Sequence, residues 1–225
     1  MAIAVDCAAS GTCVLCMPVV FVRTLYAIIE VPMSQLRTDY TQITSAGVGA
    51  VTPSTTAVPT LTAQEFGNSL LHSTVITLNN HVITLADEAG VVAYGGSKIY
   101  SFPAGTILSF AGGADLTFTK TSAGVNNDFD GDFGVGTITA SNNSTLSGNE
   151  QNIIASTATP QAVAGVTSVK VIQPTWQTLG PVAATTDVYL NVLVDDADHN
   201  VTATACNFLV SGTLTLFWTR SPITL

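Results

Sequence analysis

Residues 186–194, TDVYLNVLV, decide the fold class: Val188, Leu190, Val192 and Val194 fall on one side of an extended chain, and Tyr189, Asn191 and Leu193 on the other. Successive side chains of a strand point to opposite faces, so a period of two with one strongly apolar side predicts a half-buried antiparallel strand. Residues 211–219, SGTLTLFWT, repeat the pattern, with Leu214, Leu216 and Trp218 opposite Thr213, Thr215 and Phe217. Trp218 is therefore expected in the core.

Outward from these two strands the same grammar recurs. Residues 74–78 (TVITL) and 81–86 (HVITLA) flank Asn79-Asn80, and asparagine tolerates positive φ, so a two-residue hairpin is expected there. Further strands are expected at 91–94, 98–102, 106–110, 115–120 and 133–140, with longer ones at 162–172 and 208–220. Gly95-Gly96, 103–105 and Gly112-Gly113 stand between them as turn residues. Nine or ten short strands with no long helical period predict an all-β antiparallel β-sandwich of jelly-roll type, residues 73–225.

The rest of the chain reads differently. Residues 33–72 form an arm or linker: 44–63 are rich in Ser, Thr, Ala, Gly and Pro, with no periodic apolar face. One short helix is expected at 62–71, where Thr62 and Glu65 have capping-box spacing, although Gly67 weakens it. Residues 1–32 are an atypical N-terminal extension: the apolar run at 14–22 is too short for a membrane span and lacks the basic residues that precede a secretory signal. Met33 is the expected true start; an arm docked on a neighbouring subunit is the other reading.

Only 9% of the 225 residues are charged, and six basic residues stand against fifteen acidic ones for a net charge of -9. Arg23, Arg37, Lys98, Lys120, Lys170 and Arg220 are scattered singly, which excludes nucleic-acid binding, because that requires several phosphates neutralised together. So few charges defend poorly against association, and much of the surface is expected to be covered by other subunits. Cys7, Cys13, Cys16 and Cys206 have no second ligand pair at zinc spacing and are read as free thiols.

Two acidic clusters are candidate sites. Asp128, Asp130 and Asp132 alternate in NNDFDGDFG, and their carboxylates can converge on a calcium ion, a hard cation that seeks oxygen ligands. The EF-hand pattern is not met, since position twelve is Thr139, and a solvated acidic turn accounts for the same residues. Asp195, Asp196 and Asp198, followed by His199, read as a second acidic turn. Apart from calcium at the first cluster, no cofactor is expected. Trp176, beside Pro174 and Thr175, is the candidate surface platform for a sugar ring, or else a lid over one end of the sandwich. No nucleophile elbow, zinc-protease motif or phosphate loop occurs, so a non-enzymatic role is expected; a carboxylate pair for glycan cleavage would leave no local mark. The sequons at Asn142, Asn143 and Asn200 matter only in a secretory context.

Residues 98–219 resemble tailed-bacteriophage virion proteins of the head-decoration or capsid-associated type. The resemblance rests on IYSFPAG (99–105), DGDFGVGT (130–137), VYLNV (188–192) and GTLTLFW (212–218). It implies a virion structural protein on the phage head surface, made in the host cytoplasm. It also implies self-association, often as a homotrimer, with the major capsid protein as partner. No nucleic acid or membrane is expected as a partner. A carbohydrate-binding module on a fibre or in a secreted protein is the alternative, and a glycan-cleaving enzyme a third reading.

Overall fold

A computed structural model describes residues 41–42, 60–67, 71–88, 92–141, 143–182, 185–198 and 206–221. The expectations for residues 1–32, Met33, Cys7, Cys13 and Cys16, and for nearly all of the arm at 44–63, lie outside them.

The described chain is two antiparallel sheets. One holds six strands in the order β1 (Thr41–Gln42), β2 (Leu61–Gly67), β3 (Leu71–Thr84), β11 (Asn207–Ser221), β6 (Gly105–Lys120) and β9 (Val166–Val182). The other holds β4 (Ala86–Glu88), β5 (Val92–Phe102), β10 (Thr186–Asp195), β7 (Gly131–Gly136) and β8 (Ile154–Thr159). Pairing is nested: β3 with β11, β5 with β10, β6 with β9, and β7 with β8. A long antiparallel ribbon rolled over itself produces that order, which is the expected jelly roll. Its core lies between the sheets, where Phe102, Phe118, Phe133, Phe208 and Trp218 are each no more than 1% exposed. Among the described residues no helix is long and apolar enough to cross a membrane.

The strand class was legible, but several breaks were not. Asn79-Asn80 does not close a hairpin: β3 runs through both residues. Asn80 does take positive φ (50°), and its N–H donates to the Ser211 hydroxyl at 3.0 Å. The register with β11 slips between Val210 and Gly212, so the residue's tolerance of positive φ is spent on a bulge within a long strand.

Gly95-Gly96 and Gly112-Gly113 likewise lie inside β5 and β6 and not at turns. A Cβ on Gly112 would sit 2.5 Å from the Ile154 side chain, and one on Gly96 would sit 2.5 Å from Asn191 Oδ1. These glycines mark close approach of neighbouring elements. Pro103 and Ala104 do join β5 to β6, and Gly105 already begins β6.

The helix expected at 62–71 is absent; residues 61–67 are β2, paired with β3 from Leu61↔Leu78 to Gly67↔His72. A strand places Glu65 inward beside His72, whereas the helix would have satisfied only local partners.

The strand expected at 133–140 ends at Gly136. The described residues that follow, 137–141 and 143–153, fold back over the outer face of the second sheet. Ala140, Leu146, Val92 and Leu193 form a second small core there. That cover changes the reading of β10: Asn191 is 0% and Leu193 3% exposed, so the strand is buried on both faces.

Candidate functional site

The two acidic clusters, far apart in sequence, meet at one end of the sandwich. β7 and β10 are antiparallel with Val194 opposite Gly131, which brings Asp130 and Asp132 to the residues that follow β10. Asp195 N–H donates to the Asp130 carbonyl at 3.3 Å, and Asp130 N–H to Asp198 Oδ2 at 3.1 Å. Asn126 fastens the same loop through its N–H to the Asp198 carbonyl and through its side chain to the Ala197 carbonyl. Asp128 is exposed.

Loss of water, then the neighbouring Asp198 and Asp195 carboxylates, raise the Asp130 pKa above the usual range. Loss of water and Asp195 do the same for Asp132. A carboxyl with a raised folded-state pKa binds protons more tightly than in the unfolded chain, so its contribution is favourable at low pH and is lost as pH rises. Asp198→Asn, which removes one charge and keeps an oxygen acceptor for Asp130 N–H, is expected to raise the melting temperature at neutral pH by about 1–3 °C. It is also expected to shrink the stability gained by wild type on mild acidification. Calorimetry at two pH values checks both, and a lower neutral-pH melting temperature would contradict them.

Among the described residues, no group of three His, Cys, Asp or Glu side chains is gathered so that it could hold a metal ion. The rim brings Asp130 and Asp132 beside Asp195 and Asp198, while Asp128 is exposed.

A second cluster, unremarked in the sequence, lies inside the sandwich. His72 Nδ1 is 2.6 Å from Glu65 Oε1, and both side chains are under a tenth exposed. Tyr100 OH donates to Glu65 Oε2 at 3.3 Å. Trp218 stacks on the His72 ring at 4.1 Å and 11°, and its Nε1–H donates to Thr74 Oγ1 at 2.9 Å. Thr74 also bonds to Tyr100, so five side chains from β2, β3, β5 and β11 close a ring.

Burial pushes the Glu65 carboxyl up to about 7, against the Tyr100 hydrogen bond. Burial, then Arg220, lowers the His72 pKa. Burial thus favours the uncharged form of each partner, a protonated carboxyl beside a neutral imidazole. Enclosed by Trp218 and Tyr100, the pair presents no face to a substrate.

A third feature lies on the outer face of the six-stranded sheet. Cross-strand rows run Thr213–Asp115–Lys170, Thr215–Gly113–Ile172 and Phe217–Ala111–Pro174. Gly113, lacking a side chain, leaves a shallow groove of about 240 Å³ with Phe217 and Ile172 among its walls. Lys170 Nζ sits 2.7 Å from Asp115 Oδ2 at its end. Trp176 does not stand at a turn: it lies within β9, and its side chain is outside the described residues. His199, Asn142 and Asn200 are outside them too. Cys206 is a free, buried thiol.

The reading from sequence also missed Asn191 and Glu150. Asn191 Oδ1 accepts from Ala140 N–H at 2.8 Å, and its Nδ2 donates to the carbonyls of Ile138 at 2.9 Å and Glu150 at 2.7 Å. Glu150 Oε1 accepts from Ser141, and Oε2 from Ser147 N–H at 2.8 Å. A legible signal existed for the second of these: Ser147-Gly148-Asn149-Glu150 has the capping-box spacing that Thr62 and Glu65 imitate. No protein-family model matches this chain, and none of the curated proteins gives a significant match.

Proposed function

We propose that this chain is a virion structural protein of the capsid-decoration or cement type, a non-enzymatic subunit that acts by self-association and by binding a capsid shell. Jelly rolls serve capsids, lectins and cupins alike, so the fold by itself is only an analogy. The observation that carries the reading is the edge of the six-stranded sheet at β9, which no other strand pairs with among the described residues. β9 is 17 residues long and ends the sheet. Val163, Val166 and Ile172, on β9 and the turn before it, are 79%, 41% and 78% exposed.

An uncovered apolar edge is a template for another chain, and proteins that stay monomeric blunt such edges. Here Pro174, which lacks an N–H, blunts only the second half. Docking of residues 166–173 on the opposite side of a neighbour's sheet would be a head-to-tail contact, and such contacts make a closed ring, a homotrimer among them, where the rotation between neighbours closes.

Light scattering on the full chain is expected to give a trimer or larger ring, and Ile172→Asp to give a monomer with nearly unchanged melting temperature. A wild-type monomer at every soluble concentration would sink the proposal. Repeating the measurement with a chelator tests calcium: dissociation would assign the ion to the acidic rim, and indifference would remove it.

The groove favours a second reading, a glycan-binding module. Its Asp115–Lys170 pair is neutral as a unit, and together with Thr215 and the Phe217 ring it suits an uncharged polyhydroxylated ligand. Its one carboxylate is tied to Lys170, an arrangement for holding a sugar and not for cleaving one. A glycan array with wild type and Phe217→Ala decides: signal lost in the variant supports it, and no signal for wild type removes it.

A further inference from the structure

The turn that leads into β9 combines strain, rigidity and exposed apolar surface. Val163 and Val166 exchange both backbone hydrogen bonds, Val163 N–H to the Val166 carbonyl at 2.9 Å and Val166 N–H to the Val163 carbonyl at 3.2 Å. Ala164 and Gly165 between them both take positive φ, 53° and 81°. Asn, Asp or Gly is the usual choice at the first of these positions, and an alanine there is strained with no polar side chain to offset it. Two further bonds fix the turn: Gly165 N–H donates to the Asn127 carbonyl at 2.7 Å, and Ala162 N–H to the Phe129 carbonyl at 2.8 Å. Its side chains nevertheless face water, with Val163 79% and Val166 41% exposed and Ala164 exposed between them. An apolar tip already held in one conformation loses little freedom when it is covered.

We propose that this tip is a plug that seats in the outer-face groove of a second copy of the chain, with Val163 filling the space over Gly113. A cavity of about 150 Å³ holds a benzene ring, so a groove of about 240 Å³ admits an aliphatic side chain or two and not a whole strand. Gly113 is its floor, Phe217 and Ile172 are its apolar walls, and Thr215 stands across Gly113 from Ile172. Charge fits as well as shape. Asn127 and Phe129, whose carbonyls hold the turn, flank the exposed Asp128, so a carboxylate accompanies the tip. Lys170 at the groove is 74% exposed and paired with the exposed Asp115, a surface pair that a second carboxylate can join at little cost.

The chain's own tip does not reach its own groove. Val166 and Ile172 are separated by about 20 Å of extended strand, so a turn fixed to one end of β9 stays clear of a groove walled by the other. The contact is therefore head-to-tail: one copy's tip is covered by a neighbour while its own groove stays open, until the rotation between neighbours closes a ring. It rests on the self-association proposed above. It joins a turn to a sheet face, whereas docking at the β9 edge joins backbone to backbone, so the two contacts are separable.

Disulfide trapping on the full chain reads the contact directly. Cys7, Cys13 and Cys16 are changed to serine, the buried Cys206 is kept, and a Val163→Cys chain is mixed with a Thr215→Cys chain under mild oxidation. The heterodimer is expected at about ten-fold or more over either homodimer, because docking raises the local thiol concentration for that pair alone. Adding Gly113→Leu to the Thr215→Cys chain should remove the excess. A Cβ on Gly113 lies 3.6 Å from both Ile172 and the Val171 carbonyl, so this variant fills the groove without crowding the strand. The proposal is overturned if the heterodimer is no more abundant than the homodimers, or if it survives Gly113→Leu. It is also overturned if a chain that gives no cross-link shows the Phe217-dependent glycan signal. Light scattering on the unsubstituted chain separates the two readings. An oligomer without the cross-link removes the tip contact and leaves self-association standing, and a monomer without it removes both.

Discussion

Asn191→Ala is expected to destabilise the protein by about 3–4 kcal/mol, because three backbone groups, two of them in buried bonds, lose their partner at once and each buried orphan costs about 1–3 kcal/mol before relaxation. Those groups are the Ala140 N–H and the carbonyls of Ile138 and Glu150. They belong to the 137–153 loop, whose cover over β10 includes Ala140 and Leu146. The loop should loosen before the sandwich does, exposing Leu193. For a domain of this size the loss corresponds to roughly 10 °C in melting temperature. Asn191→Asp is a sharper test of the same geometry. The carboxylate keeps an acceptor for Ala140 N–H but turns an oxygen toward two carbonyls, so it should be at least as damaging at neutral pH and recover in acid. Thermal melts of both variants at two pH values decide, and a loss below about 1 kcal/mol for Asn191→Ala would show that water replaces the side chain without penalty.

Trp218→Ala is expected to cost about 4–5 kcal/mol, the upper range for truncating a buried aromatic. The ring is 0% exposed, stacks on His72 and meets the edge of Phe102 at 5.1 Å. Its removal leaves a cavity between the sheets, takes away the donor to Thr74 Oγ1, and frees His72 to leave Glu65. Trp218→Phe should recover much of the packing but not the Thr74 bond, losing about 1–2 kcal/mol. Urea denaturation separates the two. Equal losses would mean that the indole N–H, and not the volume, carries the effect.

Alternation is a local property, since a residue's neighbours two positions away share its face whatever the fold. For that reason TDVYLNVLV and SGTLTLFWT disclosed their inward residues, the burial of Trp218 and the all-β class. Turn residues were less informative. A glycine pair reads the same whether it turns the chain or makes room for Ile154 or Asn191, and an asparagine with positive φ serves a hairpin or a bulge equally well.

The sites were hidden for a different reason. Asp130 and Asp198 lie 68 residues apart, and two separate acidic turns carry no trace of the antiparallel β7–β10 pairing that unites them. Glu65 and His72, only seven apart, were obscured because a capping-box spacing suggested a helix, and only the pairing of β2 with β3 turns that carboxyl inward. By itself the sequence determined the all-β class, the apolar faces of its central strands and the scarcity of charge on its surface, because those follow from local period and composition. The tertiary structure alone decided the continuity of the long strands, the acidic rim, the double burial of β10 and the buried Glu65–His72 pair, because each depends on what a distant strand places opposite.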